Sequence, residues 1–265
     1  MKELRFEYSM KLEFETPVEK HRFTLKCVPR SDKRQKILDL NIDVYPKEFL
    51  STDEDSFGNQ CIYGYSEGSH DHFSVLLTGR AVCGLSSSEE DAKEARTGLF
   101  RYQSEYTKPG PEITAFTDSI RITDDMTDLD RAILYMKALH NRFCYVPGVT
   151  TIDTTAEEAF AGGRGVCQDY AHILLSMCRM KKIPCRYVVG MLMGEGLSHA
   201  WVEICQDGVW IPLDPTNNLI VDDQHIKISS GRDYKDCIIN QGIFVGRTVQ
   251  RQTIHVLVSE LNGRL

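Results

Sequence analysis

A thiol, an imidazole and a carboxylate follow one another between Gly163 and Asn218, as Cys167, His199 and Asp214. Gly162, Gly163 and Gly165 precede the cysteine and permit a tight turn. After it, Ala171, Leu174, Leu175 and Cys178 recur with helical period, so Cys167 is expected to begin a helix. Free N–H groups and the positive end of the helix dipole there favour thiolate, the reactive form of cysteine. Downstream, residues 198–204 and 209–214 flank Gln206-Asp207-Gly208, the pattern of an antiparallel hairpin. With Gln206 and Asp207 in the loop, His199 faces Asp214. With Asp207 and Gly208 in the loop, Asp214 faces Trp201, diagonal to His199. Either register puts His199 and Asp214 on one face. Asp214 can then hold one ring nitrogen while the other points at Cys167, the nucleophile, base and orienter arrangement of thiol acyl-transfer chemistry.

The segments GVCQDYAHILLSMCR, IPCRYVVG, SHAWVE, LDPTNN and HIKISSGRDYKD occur in that order. With them the chain resembles the bacterial transglutaminase-like superfamily, whose members are described as candidate cysteine proteases. Pro29-Arg30, Gln35, Phe57-Gly58-Asn59 and their strand-like flanks resemble the N-terminal region that precedes the core in such proteins. The resemblance covers nearly the whole chain and implies Cys167 as nucleophile, His199 as base and Asp214 as orienting acid. Animal transglutaminases carry a tryptophan ahead of the nucleophile, whereas Trp201 and Trp210 both follow it here. That departure lowers the expectation of protein cross-linking. Cys185 and Val189-Gly190-Met191 also differ from the residues common in relatives and read as pocket or packing variation.

The elements that must position these groups are legible in outline. Leu4, Phe6, Tyr8, Met10, Leu12 and Phe14 alternate as in a strand with one buried face. Strand-like runs follow at 23–27, 38–44, 61–65 and 73–77, separated by Pro29, Pro46, Gly58-Asn59 and Gly68. They argue an antiparallel β-sandwich over residues 1–87, with a polar break at 86–91 and a transglutaminase/papain-like core over 88–265. In that core the nucleophile helix packs on an antiparallel sheet, and the whole is α+β. Residues up to Pro111 read as an extended connector. Thr127-Asp128 caps a helix over 129–143, and Thr154-Thr155 starts a short helix through Phe160. Pro184 starts a strand over 185–192. Gly194-Glu195-Gly196 is a loop that could act as a lid, and residues 254–258 form a strand expected to join the sheet of His199 and Trp210.

Blander readings apply to most other reactive residues. The remaining eight cysteines read as small buried hydrophobes. His172, five residues past Cys167, is off its helix face and reads as a core or hydrogen-bonded residue. His225 is expected to fix a loop, Trp201 to wall the His199 ring, and Asp169 to cap the helix. Tyr145 is a candidate oxyanion donor beside the safer backbone N–H of Cys167. Zinc held by Cys185, Cys205 and His199 is disfavoured because no pair has metal-ligand spacing.

Net charge of −7 and a pI near 5.6 argue against nucleic acid and anionic membrane as partners. No run approaches the roughly 18 apolar residues of a membrane span, and the start alternates rather than forming a secretory signal. Nine scattered cysteines without a CxxC pair fit a reducing cytoplasm. The expected function is cleavage of a peptide or amide through a thioester, without metal or organic cofactor. Amine transfer and a non-catalytic peptide-binding module are the alternatives.

Overall fold

The computed structural model describes residues 1–85 and 97–261, so the polar break at 86–91 lies outside the described residues. The chain begins as β1 (Lys2–Val28), β2 (Gln35–Tyr45), β3 (Phe49–Glu54), β4 (Gln60–Ser66) and β5 (His70–Cys83). There follow α1 (Pro111–Ser119), α2 (Asp128–Arg142), β6 (Cys144–Tyr145), α3 (Ala156–Gly162), β7 (Arg164–Gly165) and α4 (Cys167–Met180). The last part holds β8 (Cys185–Leu192), β9 (Gly194–Gly196), β10 (His199–Gln206), β11 (Val209–Asp214) and β12 (Leu219–Ile220). It ends with β13 (His225–Gly231), β14 (Asn240–Val245) and β15 (Gln250–Glu260). The fold is α+β. No helix among the described residues is long and apolar enough to cross a membrane.

The two strands expected at 4–14 and 23–27 are one. The first half of β1 pairs with β5 and β15; its second half, past a break near Lys20 (φ 51°), pairs with β4 and β14. Leu4, Phe6, Phe23 and Leu25 from both halves meet Phe73 of β5 in one core. Met191, Ile226 and Ile228, from β8 and β13, enter that same core, so the two sheets are joined by buried apolar surface.

Two expectations for the C-terminal part fail. Residues 254–258 lie within β15, which pairs with β1 over eleven rungs from Leu4↔Glu260 to Phe14↔Gln250, and not with the strands of His199 and Trp210. Gly194-Glu195-Gly196 is no free lid, for as β9 it pairs with Val256–Val258 at the edge of the first sheet. The alternation of residues 4–14 offers a long apolar face, and the alternation of β15 matches it; this burial outcompetes the nearer hairpin. The sheet that carries His199 runs β12-β11-β10-β8-β13 instead.

Helices α2 and α4 pack on that second sheet through Ala132, Leu139, Ala171, Leu174, Val202 and Leu213. Thr127 and Asp130 form a reciprocal capping box on α2, and Thr155 and Glu158 form another on α3. Helix α1 has no sequence-local cap. Glu157 of α3 accepts hydrogen bonds from the backbone N–H of Gly110, Glu112 and Ile113 at 2.8, 2.8 and 3.2 Å. The connector from 98 onward lies over the core, with Gln103 donating to the Ser176 carbonyl and Arg179 donating to Thr107.

Gly190 of β8 pairs with His199, and a Cβ there would collide with the Trp201 ring and the Ile226 carbonyl. Gly190→Ala is therefore expected to lower unfolding free energy by about 1–3 kcal/mol, read as a shift in the urea midpoint at constant slope.

Candidate active site

Cys167 is the first residue of α4, and its surroundings fix where that helix begins. Gly163 ends α3 in the left-handed region (φ 70°), which glycine adopts without steric cost. β7 then pairs in parallel with β6, bringing Tyr145 beside Gly165. Asp169, buried, accepts from the Val166 N–H and the Thr150 hydroxyl at 2.7 Å each. A side chain at position 165 would occupy the space of that carboxylate. Burial raises the Asp169 pKa against these bonds. The Cys167 thiol is thus presented at a helix start and only partly covered.

His199 begins β10 and Asp214 ends β11. The hairpin turn is Asp207-Gly208, both with positive φ (52° and 79°), as a two-residue type I′ connection requires. Val202↔Leu213 and Gln206↔Val209 then set the register, and its continuation puts Asp214 opposite Trp201, diagonal to His199. His199 Nε2 lies 2.7 Å from Asp214 Oδ2. The thiol of Cys167 interacts electrostatically with the same ring, on which Nδ1 is the nitrogen not taken by Asp214. Both residues face a cleft of about 810 Å³.

Asp214 is fully buried and accepts five hydrogen bonds. Oδ2 receives His199, His225 Nε2 (3.2 Å) and Asn217 Nδ2 (2.7 Å), while Oδ1 receives the backbone N–H of Thr216 (3.0 Å) and Asn217 (3.1 Å). Burial alone would raise its pKa, but these donors hold the carboxyl well below the usual carboxylate range. Burial likewise opposes charge on His199, yet the hydrogen bonds and charges of Asp214 and Cys167 outweigh it and push the ring up to about 10. The site can therefore hold an imidazolium against a carboxylate at neutral pH.

Residues 115–215 match the transglutaminase-like superfamily, and residues 4–82 match the bacterial transglutaminase-like N-terminal region. The chain carries a transglutaminase-like core. An uncharacterized protein of Mycobacterium leprae is 38% identical over 127 residues, 44% of this chain and 45% of that one, so the chain spans less than half of that relative. An uncharacterized protein of Mycobacterium tuberculosis is 28% identical over 250 residues, covering 81% of this chain and 79% of its own. A crystal structure of a candidate cysteine protease from Cytophaga hutchinsonii superposes with a TM-score of 0.81 at 20% identity, covering 100% of this chain and 92% of that one. The last similarity concerns the fold.

Within the transglutaminase-like core the other singled-out residues fall as follows. His172 is buried, accepts from the Tyr234 N–H at 3.2 Å and stacks on Tyr106; burial pushes it down to about 3, so it is a neutral core residue. Trp201 lies beside His199, ring centroids 6.2 Å apart. Tyr145 is exposed and lines the cleft with Cys167. Cys205 and His199 stand six residues apart on extended β10, roughly 20 Å at the strand rise, too far to share an ion with Cys185. His199, Asp214 and His225 do bring three ligand-type atoms within 4.8 Å of one another. Asn217 Nδ2, which can only donate, takes the same Asp214 oxygen, so this is a cluster of N–H groups around a carboxylate.

Sequence reasoning missed His225 and Asn217 as holders of Asp214. Asn217 was findable: an aspartate followed by Pro-Thr-Asn is an Asx-turn signal, in which the carboxylate accepts from the residues two and three ahead. His225 had no such signal, because β13 reaches Asp214 from across the sheet, with β8 and β10 between them.

A ring raised by its partners keeps its proton through neutral pH and loses it as pH rises through about 10. Nitrogen-15 NMR of the His199 ring is expected to show imidazolium at pH 8, and Asp214→Asn to move the transition toward roughly 6.5, the ordinary histidine value.

Proposed function

We propose that the chain is a thiol-dependent acyl-transfer enzyme that hydrolyses a peptide or amide bond, with Cys167 as nucleophile, His199 as acid and base, and Asp214 as orienter. The observation that carries this reading is the buried ring of His199, bonded to Asp214 and interacting with the Cys167 thiol, at the wall of an open cleft that both residues line. In this reading residues 88–265 supply the chemistry. Residues 1–87, with the returning strands β14 and β15, supply the opposite wall.

The Cys167 thiolate attacks the carbonyl carbon, its electron pair forming the C–S bond while the carbonyl π pair moves to the oxygen, where the Cys167 backbone N–H donates. On collapse the C–N bond breaks, and the His199 proton goes to the leaving amine, leaving a thioester. Water then attacks the thioester while His199 accepts its proton, and the thiolate leaves. An amine in place of water would give transfer; the absence of a tryptophan ahead of Cys167 favours hydrolysis. Nine scattered cysteines without a CxxC pair fit a reducing compartment such as the cytoplasm.

The test uses a Cys144→Ser background, since Cys144 is the exposed competitor. Incubation with peptide amides and an acid quench is expected to trap an acyl adduct on Cys167 by intact mass. Cys167→Ala should abolish it, and His199→Ala should lower turnover by about 10³-fold or more. Products weighed with and without a primary amine separate hydrolysis from transfer; no adduct with any amide and no turnover would sink the reading.

His225→Gln keeps a side chain at the Asp214 flank but loses the ring N–H. A fall in kcat/KM of about tenfold is expected, with KM little changed, as for partners that orient a working group.

A further inference from the structure

We propose that the cleft before Cys167 selects an uncharged polypeptide segment, and that His21 on its far wall accepts a hydrogen bond from an amide N–H of that segment. This rests on the acyl-transfer reading and adds what the site admits.

The cleft is built from both sheets. Cys167, His199 and Tyr145 line the near wall, while Tyr8, Leu12, Phe244, Gln250, Gln252 and Ile254 come from β1, β14, β15 and their flanks. Asp, Glu, Lys and Arg make up 26% of the chain, yet among the described residues none lines this cleft of about 810 Å³. Away from the Cys167–His199 pair, a charged side chain entering it would lose hydration without finding an Asp, Glu, Lys or Arg to pair with. The polar groups present are hydroxyls and the carboxamides of Gln168, Asn240, Gln241, Gln250 and Gln252, which complement backbone amides. The volume suits several residues of a peptide.

His21 is set as an acceptor by a chain of partners. His70 Nδ1 lies 3.0 Å from the Gly68 carbonyl, which can only accept, so His70 carries its proton there. His70 Nε2 is then a lone pair, and His21 Nδ1, 3.2 Å away, donates to it. His21 Nε2 is thereby left with a lone pair. Burial and the neighbouring His70 push His21 down to about 4, which keeps the ring uncharged at neutral pH. His21 lines the cleft with nearly all of its ring buried, and Nε2 lies against Gly242 of β14, where a Cβ would stand 2.7 Å from it, so only glycine leaves room beside that lone pair. Phe14, Phe23, Phe73 and Phe244 surround the ring and hold its orientation.

The experiment uses the full chain with Cys144→Ser and peptidyl acyloxymethyl ketones that differ in one side chain, Leu, Asp or Lys. Labelling of Cys167 is followed by intact mass, with iodoacetamide in parallel to report the thiol itself. The Leu probe is expected to label at least about tenfold faster than either charged probe. N-methylation of the amide that meets His21 should slow labelling about fivefold, and that loss should vanish in His21→Phe. Gln252 is exposed on β15, so Gln252→Lys does not depend on core repacking; it should speed the Asp probe about two- to fivefold. Equal rates for the three probes, or methylation penalties that are the same with and without His21, overturn the proposal. Failure of iodoacetamide to reach Cys167 overturns the acyl-transfer reading as well.

Discussion

A carboxylate with no exposure to water has to be matched by donors, and at Asp214 that requirement shapes the surrounding core. Leaving such a group charged and unpaired would cost several kcal/mol. Five hydrogen bonds offset that cost, drawn from β10, β13 and the turn after β11. Each donor constrains a different element. The His199 bond needs the Asp207-Gly208 register, the His225 bond needs β13 on the far side of β8, and the Asn217 bonds need the tight turn at 214–217. Once those are in place, the Asp214 charge holds the proton on His199, and the ring's remaining nitrogen faces the start of α4. Local electrostatics and sheet topology are one problem here, because neither the charge nor the register is stable without the other.

The second constraint is the long first strand. β1 runs through both sections of the N-terminal sheet and pairs with β15 along its first half. The last strand of the chain is thereby placed next to the first, and β9, immediately before His199, is tied to that strand in turn. The segment from Gly194 to His199 is therefore anchored at both ends. An ordered anchor limits the backbone freedom that His199 would otherwise have to give up when it meets Asp214. The shared core of Leu4, Phe6, Met191, Ile226 and Ile228 makes this arrangement cooperative with burial. The N-terminal sheet is thus a structural part of the site and not an appendage.

What was legible in the sequence follows the range of the interactions. Strand alternation, the two capping boxes, the start of α4 at Cys167, the strand after Pro184 and the hairpin bearing His199 all depend on neighbours within a few residues, and each stands where its signal puts it. The register left open between two turns is decided by Asp207 and Gly208 adopting positive φ together. Helix α1 escaped because its N-terminal N–H groups are satisfied by Glu157, 44 or more residues away. The pairing of β15 with β1 and the approach of His225 to Asp214 escaped for the same reason: a strand's pattern shows that it has a buried face, not which strand will cover it. The lid expectation fails because pairing with β15 removes the backbone freedom that Gly194 and Gly196 would otherwise have.

The nine cysteines show how environment, and not residue type, picks out a reactive group. Burial pushes the thiols of Cys27 and Cys83 up to about 12, and raises those of Cys178 and Cys237 as well. A thiol so placed is almost never thiolate at neutral pH. Cys144 is exposed on β6 and does not line the cleft that Cys167 and His199 share. Cys167 alone combines a helix start, partial exposure, an imidazole held charged by a buried acid, and an open cleft. Moving that thiol one residue along α4 would turn it about 100° from the ring, at the helical period, and break the combination without changing composition. The glycines at 163 and 165 therefore act on chemistry through geometry: by fixing where α4 begins, they decide which side chain meets His199.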